Sequence, residues 1–99
     1  MYARMTIARP RPEQFDEAIA SVETTFVPAA REQHGYRGFL LGVDRAGHQL
    51  VGISLWESES DLTSSANASG YYQSRIAEFA GLLTTPPATM NLEVAVYDD

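Results

Sequence analysis

The stretch LVGISLWESES, Leu50 to Ser60, changes its period halfway along. Up to Trp56 it alternates, with Val51, Ile53 and Leu55 on one side and Leu50, Gly52, Ser54 and Trp56 on the other, as a strand does. From Glu57 it turns acidic and serine-rich. Ser58 followed by Asp61 three residues later is close to a capping box, which places a helix start just after Trp56. A strand thus hands over directly to a helix, with the chain's only tryptophan at the joint.

Working outward, DRAGH (Asp44 to His48) is turn chemistry, so the strand from Gln49 pairs as a hairpin with a preceding strand. In that strand Phe39, Leu41 and Val43 alternate with Gly38, Leu40 and Gly42. Before it, Phe15, Ile19, Val22 and Phe26 recur every three or four residues, one stripe of an amphipathic helix that begins near Glu13 behind Pro12. Pro28 lacks an amide and crowds the preceding turn, so it kinks or divides this helix; a further turn runs over Ala29 to Gln33, and Gly35 is the stop. Tyr2 to Arg9 alternates Ala3, Met5 and Ile7 against Tyr2, Arg4 and Thr6, a first strand.

Downstream, NASG (67–70) interrupts the helix that follows Trp56, with Ser69 available to cap a new one. The new helix carries Tyr72, Ile76, Phe79 and Leu83 on one stripe. TTPP is a loop, and alternation of Met90, Leu92, Val94 and Val96 gives a last strand. The order is strand, helix, strand, strand, helix, strand over a single domain, residues 1–99. That order is the α+β, ferredoxin-like βαββαβ arrangement, an antiparallel four-stranded sheet with both helices on one face.

One face of this sheet is almost wholly aliphatic (Val51, Ile53, Leu55; Met90, Leu92, Val94), and the other mixes small, polar and aromatic residues. Two helices cover only one face. Leaving about four aliphatic side chains wet, at roughly 1.5–3 kcal/mol each, rivals a small domain's whole stability. A second copy over the aliphatic face is therefore expected, giving a homodimer in which two sheets form a shared barrel. The mixed face then looks toward the helices, where small residues leave room for a cavity.

Composition narrows the function. The net charge is −6, all seven basic residues are arginine, and no basic run exists, which argues against nucleic acid and anionic membrane as partners. Without lysine there is no Schiff-base chemistry, and without cysteine there is no thiolate nucleophile, disulfide or cysteine-held metal. No segment approaches the ~20 apolar residues of a membrane span, and no apolar run follows a basic amino-terminal region, so a soluble cytoplasmic protein is expected.

The element order, together with FVPAAREQHGYRGFLL (Phe26 to Leu41), ISLWESESDL (Ile53 to Leu62) and ASGYYQSRIAEF (Ala68 to Phe79), resembles the antibiotic-biosynthesis-monooxygenase-like (ABM) family of dimeric α+β barrels. The features matched are a proline inside the first helix, a glycine-aromatic-x-Gly entry to the second strand, a strand ending in Trp-Glu-Ser, and a serine opening the last helix. The likeness implies a homodimer with a pocket for a small hydrophobic or aromatic molecule. Some relatives degrade haem, but the pattern for that chemistry wants an asparagine on the first strand and a histidine near Arg75, and neither is here. Others oxygenate polycyclic phenols without a cofactor. In those an asparagine precedes the strand-three tryptophan on its face; Gly52 and Ser54 stand there instead, so only Trp56 carries over.

Each candidate site residue has an ordinary reading beside the functional one. Trp56 either stacks on a planar ligand and offers its N–H, or plugs the sheet end. Ser54 shares its face, and Phe79 and Tyr72 share a helical stripe that either packs or lines the cavity. Tyr72 is also a candidate proton donor. Arg75, three residues later, either binds a phenolate or carboxylate or is a solvated charge. Arg4, pointing inward, either holds an anion or pairs with Glu93. His34 is a candidate base, or a solvated loop histidine, and His48 sits in the hairpin turn. Neither has partners at metal-ligand spacing, so no metal and no cofactor is expected. The expectation is a cofactor-independent monooxygenase acting on a small aromatic or polyphenolic substrate between sheet and helices. A non-catalytic small-molecule-binding or stress-related barrel is the alternative.

Overall fold

The structure, a computed structural model, describes residues 1–67 and 71–99, and the side chains at 66, 67, 71–73, 75 and 76 also lie outside the described set. The elements are β1 (Tyr2–Ala8), a 3₁₀ turn (Pro12–Gln14), α1 (Phe15–Ser21), a π turn (Val22–Phe26), α2 (Val27–Arg31), β2 (Tyr36–Asp44), β3 (Gln49–Trp56), α3 (Glu59–Asn67), α4 (Tyr71–Ala80) and β4 (Ala88–Glu93). The strands form one antiparallel sheet in the order β2-β3-β1-β4. The expected fold class is therefore the observed one.

Pro28 divides the first helix as its chemistry requires. The ring crowds the carbonyl four residues back, and the chain widens by one residue per turn just ahead of it, with Val27 N–H reaching the Val22 carbonyl. The helix ends sooner than expected, at Arg31 with Glu32 as its cap, and Gly35 takes φ +81°, a conformation suited to glycine, in the turn that leads into β2. At the start of α3, Asp61 N–H donates to Ser58 Oγ (3.1 Å) and the Ser58 hydroxyl donates to Asp61 Oδ2 (2.9 Å), which is the expected cap. The cap foreseen at Ser69 lies outside the described residues.

The last strand is shorter than its alternation predicts. It ends at Glu93, opposite Tyr2, and Val94 N–H to the Met1 carbonyl (3.0 Å) is its final bond to β1. The alternation continues through Val96, past the last bond to β1.

The register sorts the faces. Tyr36, Phe39 and Leu41 of β2, Trp56, Ser54 and Gly52 of β3, and Arg4 and Thr6 of β1 lie on the helix side. A bulge at Arg37, between Tyr36 and Gly38, keeps Tyr36 on the same side as Phe39. Two buried clusters fill the space beneath the helices. Leu50, Ala8, Phe15, Ala18, Val22, Phe79 and Leu83 make the larger, and Trp56, Ala30 and Leu62 the smaller, flanked by Tyr2 and Tyr36. The opposite face carries Leu40 and Met90 exposed at 53% and 52%, with Leu92 beside them.

Candidate ligand cavity between sheet and helices

A half-open cavity lies between the larger cluster and the mixed face of the sheet. Arg4, Thr6, Gly52 and Ser54 form its floor, and Val22, Phe26 and Phe79 close it from the helical side. Gly52 makes the room: a Cβ there would stand 3.3 Å from Phe39 Cζ, so any side chain would push into the space that ring borders. Phe26 and Phe79 meet edge to face, with ring centroids 5.4 Å apart at 88°. The cavity volume is about 50 Å³. That is about a third of the ~150 Å³ that accommodates a benzene ring. Phe26, on the helical side, is only partly buried.

The polar groups gather at one end. Arg4 is 3% exposed, and its guanidinium donates to the Leu62 carbonyl (2.7 Å) and to Ser65 Oγ (2.9 Å), both on α3. The Ser65 hydroxyl donates onward to the Leu62 carbonyl (2.7 Å). The same guanidinium lies 5.8 Å from the Trp56 ring centroid, within cation–π range. Glu93, the partner foreseen for Arg4, sits exposed on β4 opposite Tyr2, and Asn91 is the residue opposite Arg4.

Trp56 is completely buried and does not line the cavity. Its indole N–H donates to Ser54 Oγ (2.9 Å), and Tyr36 packs edge-on against it at 6.0 Å. It therefore plugs the sheet end and holds Ser54, a residue that lines the cavity. Phe79, Arg4 and Ser54 are brought together there, as expected. The side chains of Tyr72 and Arg75 lie outside the described residues. Ser65, which fixes Arg4, was missed; its signal is a three-residue spacing from Leu62 on the face of α3 that meets β1.

His34 is far from this arrangement in kind. Its side chain is 94% exposed, and Nδ1–H donates to Asp61 Oδ1 at 2.7 Å. That hydrogen bond first, and the carboxylate's charge second, raise the His34 pKa from 6.5. The same bond and the Ser58 hydroxyl lower Asp61 from 3.8. With Glu57 N–H to the Gly35 carbonyl (2.7 Å) and the Arg37–Glu57 ion pair, this makes a clasp between the helix-to-β2 loop and the start of α3. His34 is thus a fastening at the surface rather than a base facing the cavity. Asp44 is likewise lowered, chiefly by the Gly47 backbone N–H, within the hairpin turn that carries His48 at φ 54°.

Among the described residues no three His, Cys, Asp or Glu side chains gather to hold a metal. No helix among them is long and apolar enough to cross a membrane.

No family model matches the sequence, and no curated protein matches it as a relative. Solved structures do. The Rv0793 protein of Mycobacterium tuberculosis superposes with a TM-score of 0.80 at 24% identity, over 99% of this chain and 98% of that one. A monooxygenase from the ActVA-Orf6 gene of Streptomyces coelicolor, in complex with the ligand Nanaomycin D, gives 0.81 at 16%, over 99% and 92%. An antibiotic biosynthesis monooxygenase gives 0.77 at 14%, over 97% and 100%. At such identities the likeness is one of fold, and this chain has the α+β fold of the antibiotic biosynthesis monooxygenase structures.

Proposed function

We propose that the protein is a monooxygenase of the ABM type that works as a homodimer and oxidises a small aromatic or polyphenolic substrate held between sheet and helices. The observation that carries this reading is the polarity of the cavity. Two buried polar residues, Arg4 and Ser54, line it together with three phenylalanines. That arrangement suits a planar apolar molecule with one anionic oxygen, and the shared fold with named monooxygenases supports it.

In this reading Arg4 and Ser54 bind the phenolate oxygen, and Phe26, Phe39 and Phe79 enclose the ring. Holding a phenol as its anion makes the substrate electron-rich enough to react with dioxygen itself. At a methylene carbon made acidic by such a phenol, CH₂ becomes C=O with one oxygen atom retained and the other released as water, so no outside reductant is required. Tyr72 and Arg75, seven and four residues before Phe79 on α4, remain the proposed proton carrier and second cation. Trp56 acts through Ser54, and His34 is left out of the chemistry. A second copy covers the aliphatic face of the sheet, and the reaction belongs to the cytoplasm.

The test is oxygen uptake with a panel of quinols and polyphenols, run on the wild type and on Arg4→Met. The reading predicts uptake that falls at least about tenfold in the variant. Ligand binding without any uptake by the wild type points instead to a non-catalytic binding barrel. One observation favours that second reading: among the described residues, no carboxylate or imidazole borders the cavity.

A further inference from the structure

The first turn of α3 is tied in two directions. On the loop side, Asp61 accepts the Nδ1–H of His34 at 2.7 Å and the Ser58 hydroxyl at 2.9 Å, while its own N–H returns to Ser58 Oγ. The next residue is Leu62. Its N–H donates to the Ser58 carbonyl (3.1 Å), its side chain is 2% exposed beside Trp56, and its carbonyl accepts both the Arg4 guanidinium (2.7 Å) and the Ser65 hydroxyl (2.7 Å). One peptide bond therefore separates the residue that grips His34 from the residue that holds Arg4. Glycine makes the grip feasible, since a Cβ at Gly35 would collide with the Asp61 carboxyl group and hold the loop away from α3. The contact is more than a helix cap. Ser58 already satisfies the Asp61 N–H, so the bond to His34 adds nothing to that cap and instead fixes the turn against the segment leading into β2.

We propose that Asp61, gripped by His34, is a positioning residue for Arg4: the clasp fixes the turn of α3 whose Leu62 carbonyl sets the place of the guanidinium at the cavity. This rests on the reading that Arg4 binds the ligand's anionic oxygen. Loss of the clasp loosens that turn, and a guanidinium whose acceptor shifts meets an anion in poorer geometry. The apolar part of a ligand, enclosed by the phenylalanines, is indifferent to it. His34 supplies the switch. Protonated, it meets the Asp61 carboxylate as an ion pair; neutral, it keeps only the hydrogen bond. That bond first, and the carboxylate's charge second, raise its pKa from 6.5, so the pair weakens as the pH climbs through the folded value. The other charges of this corner are Arg31 and Glu32 at the end of α2, the Arg37–Glu57 pair, and Glu59 on α3. All are carboxylates or guanidinium groups, which leaves the imidazole as the group suited to titrate near neutrality.

The test is calorimetric titration of the full chain with pentafluorophenol, an ionised phenol throughout ~pH 6.5–9, and with its uncharged methyl ether, across the range in which an imidazole titrates. The wild type should lose about two- to fivefold in affinity for the phenolate as the pH rises and keep its affinity for the ether. In His34→Asn that slope should vanish at the wild type's high-pH affinity. Asp61→Asn, which keeps an acceptor and loses the charge, should be equally flat. The Arg4 guanidinium signals in ¹⁵N NMR of the free protein should shift with the same midpoint in the wild type and stand still in His34→Asn. His48→Asn, in the hairpin turn, should keep the wild-type slope, and circular dichroism checks that every variant is folded. An absent slope in the wild type, a slope unchanged in His34→Asn, or an ether affinity that falls in step overturns the coupling and leaves Arg4 as the anion's partner. If Arg4→Met binds phenolate and ether as the wild type does, the reading of the site itself fails.

Discussion

The Trp56 indole N–H donates to the hydroxyl of Ser54, two residues earlier on the same face of β3. Both side chains are buried, and only Ser54 borders the cavity. A tryptophan outside the cavity therefore orients a residue that borders it. Ser54→Ala leaves the buried N–H unsatisfied and should cost about 1–3 kcal/mol of stability in denaturant unfolding. Ser54→Thr, which keeps the hydroxyl, should recover ligand affinity that the alanine variant loses.

Arg4 is the group whose loss separates ionised from neutral ligands. Arg4→Met keeps an unbranched chain of similar reach and removes every donor. A hydrogen bond to a charged group contributes about 1.5–3 kcal/mol, so affinity for an ionised phenol should fall about 10- to 100-fold, as measured by calorimetry. Affinity for the matching uncharged ether should change little. Ser65→Ala removes one of the oxygens that fix the guanidinium and should give a smaller loss in the same direction.

Gly52 sets the depth of the cavity. The alanine Cβ would lie 3.3 Å from Phe39 Cζ, so Gly52→Ala asks that ring to move by a few tenths of an ångström. Gly52→Val fills the space outright. The series Gly, Ala, Val should lower ring binding stepwise, whereas melting temperature should hold or fall by far less than binding does.

The clasp between His34 and Asp61 gives stability a defined pH profile. His34 is raised above 6.5, so its contribution is complete below about pH 6.5 and disappears as the pH climbs through the folded value. Asp61 is lowered below 3.8, so its contribution is complete above about pH 3.8 and disappears as the pH falls through its folded value. Melting temperature should therefore be highest between these limits and decline on the alkaline side. His34→Asn should flatten that alkaline decline while leaving Asp61's cap on α3 in place.

The fold was readable because Leu50 to Ser60 switches period at one residue, and because Pro28, Gly35 and Ser58 each announce a boundary by backbone chemistry. The length of β4 was not, since where a strand stops depends on how far its neighbour extends, and Met1 lies ninety-odd residues away in sequence. Arg4, Ser54 and Phe79 were placed at the cavity by alternation and helical spacing. Period two assigns Trp56 a face but not a depth, so stacking and plugging both stand in the sequence; its complete burial fits the plug. For His34 the solvated reading fits its exposure, and its bond to Asp61, 27 residues away, is made only by the tertiary structure.

The central claim is that a ligand enters between sheet and helices at the Arg4–Ser54 end. Two-dimensional ¹H–¹⁵N NMR titration with a simple phenol tests it most directly. The account predicts that the largest shifts fall on the amides of Thr6, Gly52, Ser54 and Phe79 and on the Trp56 indole N–H. Shifts confined to Leu40, Ile53 and Met90 on the opposite face, with those five signals unmoved, would contradict it.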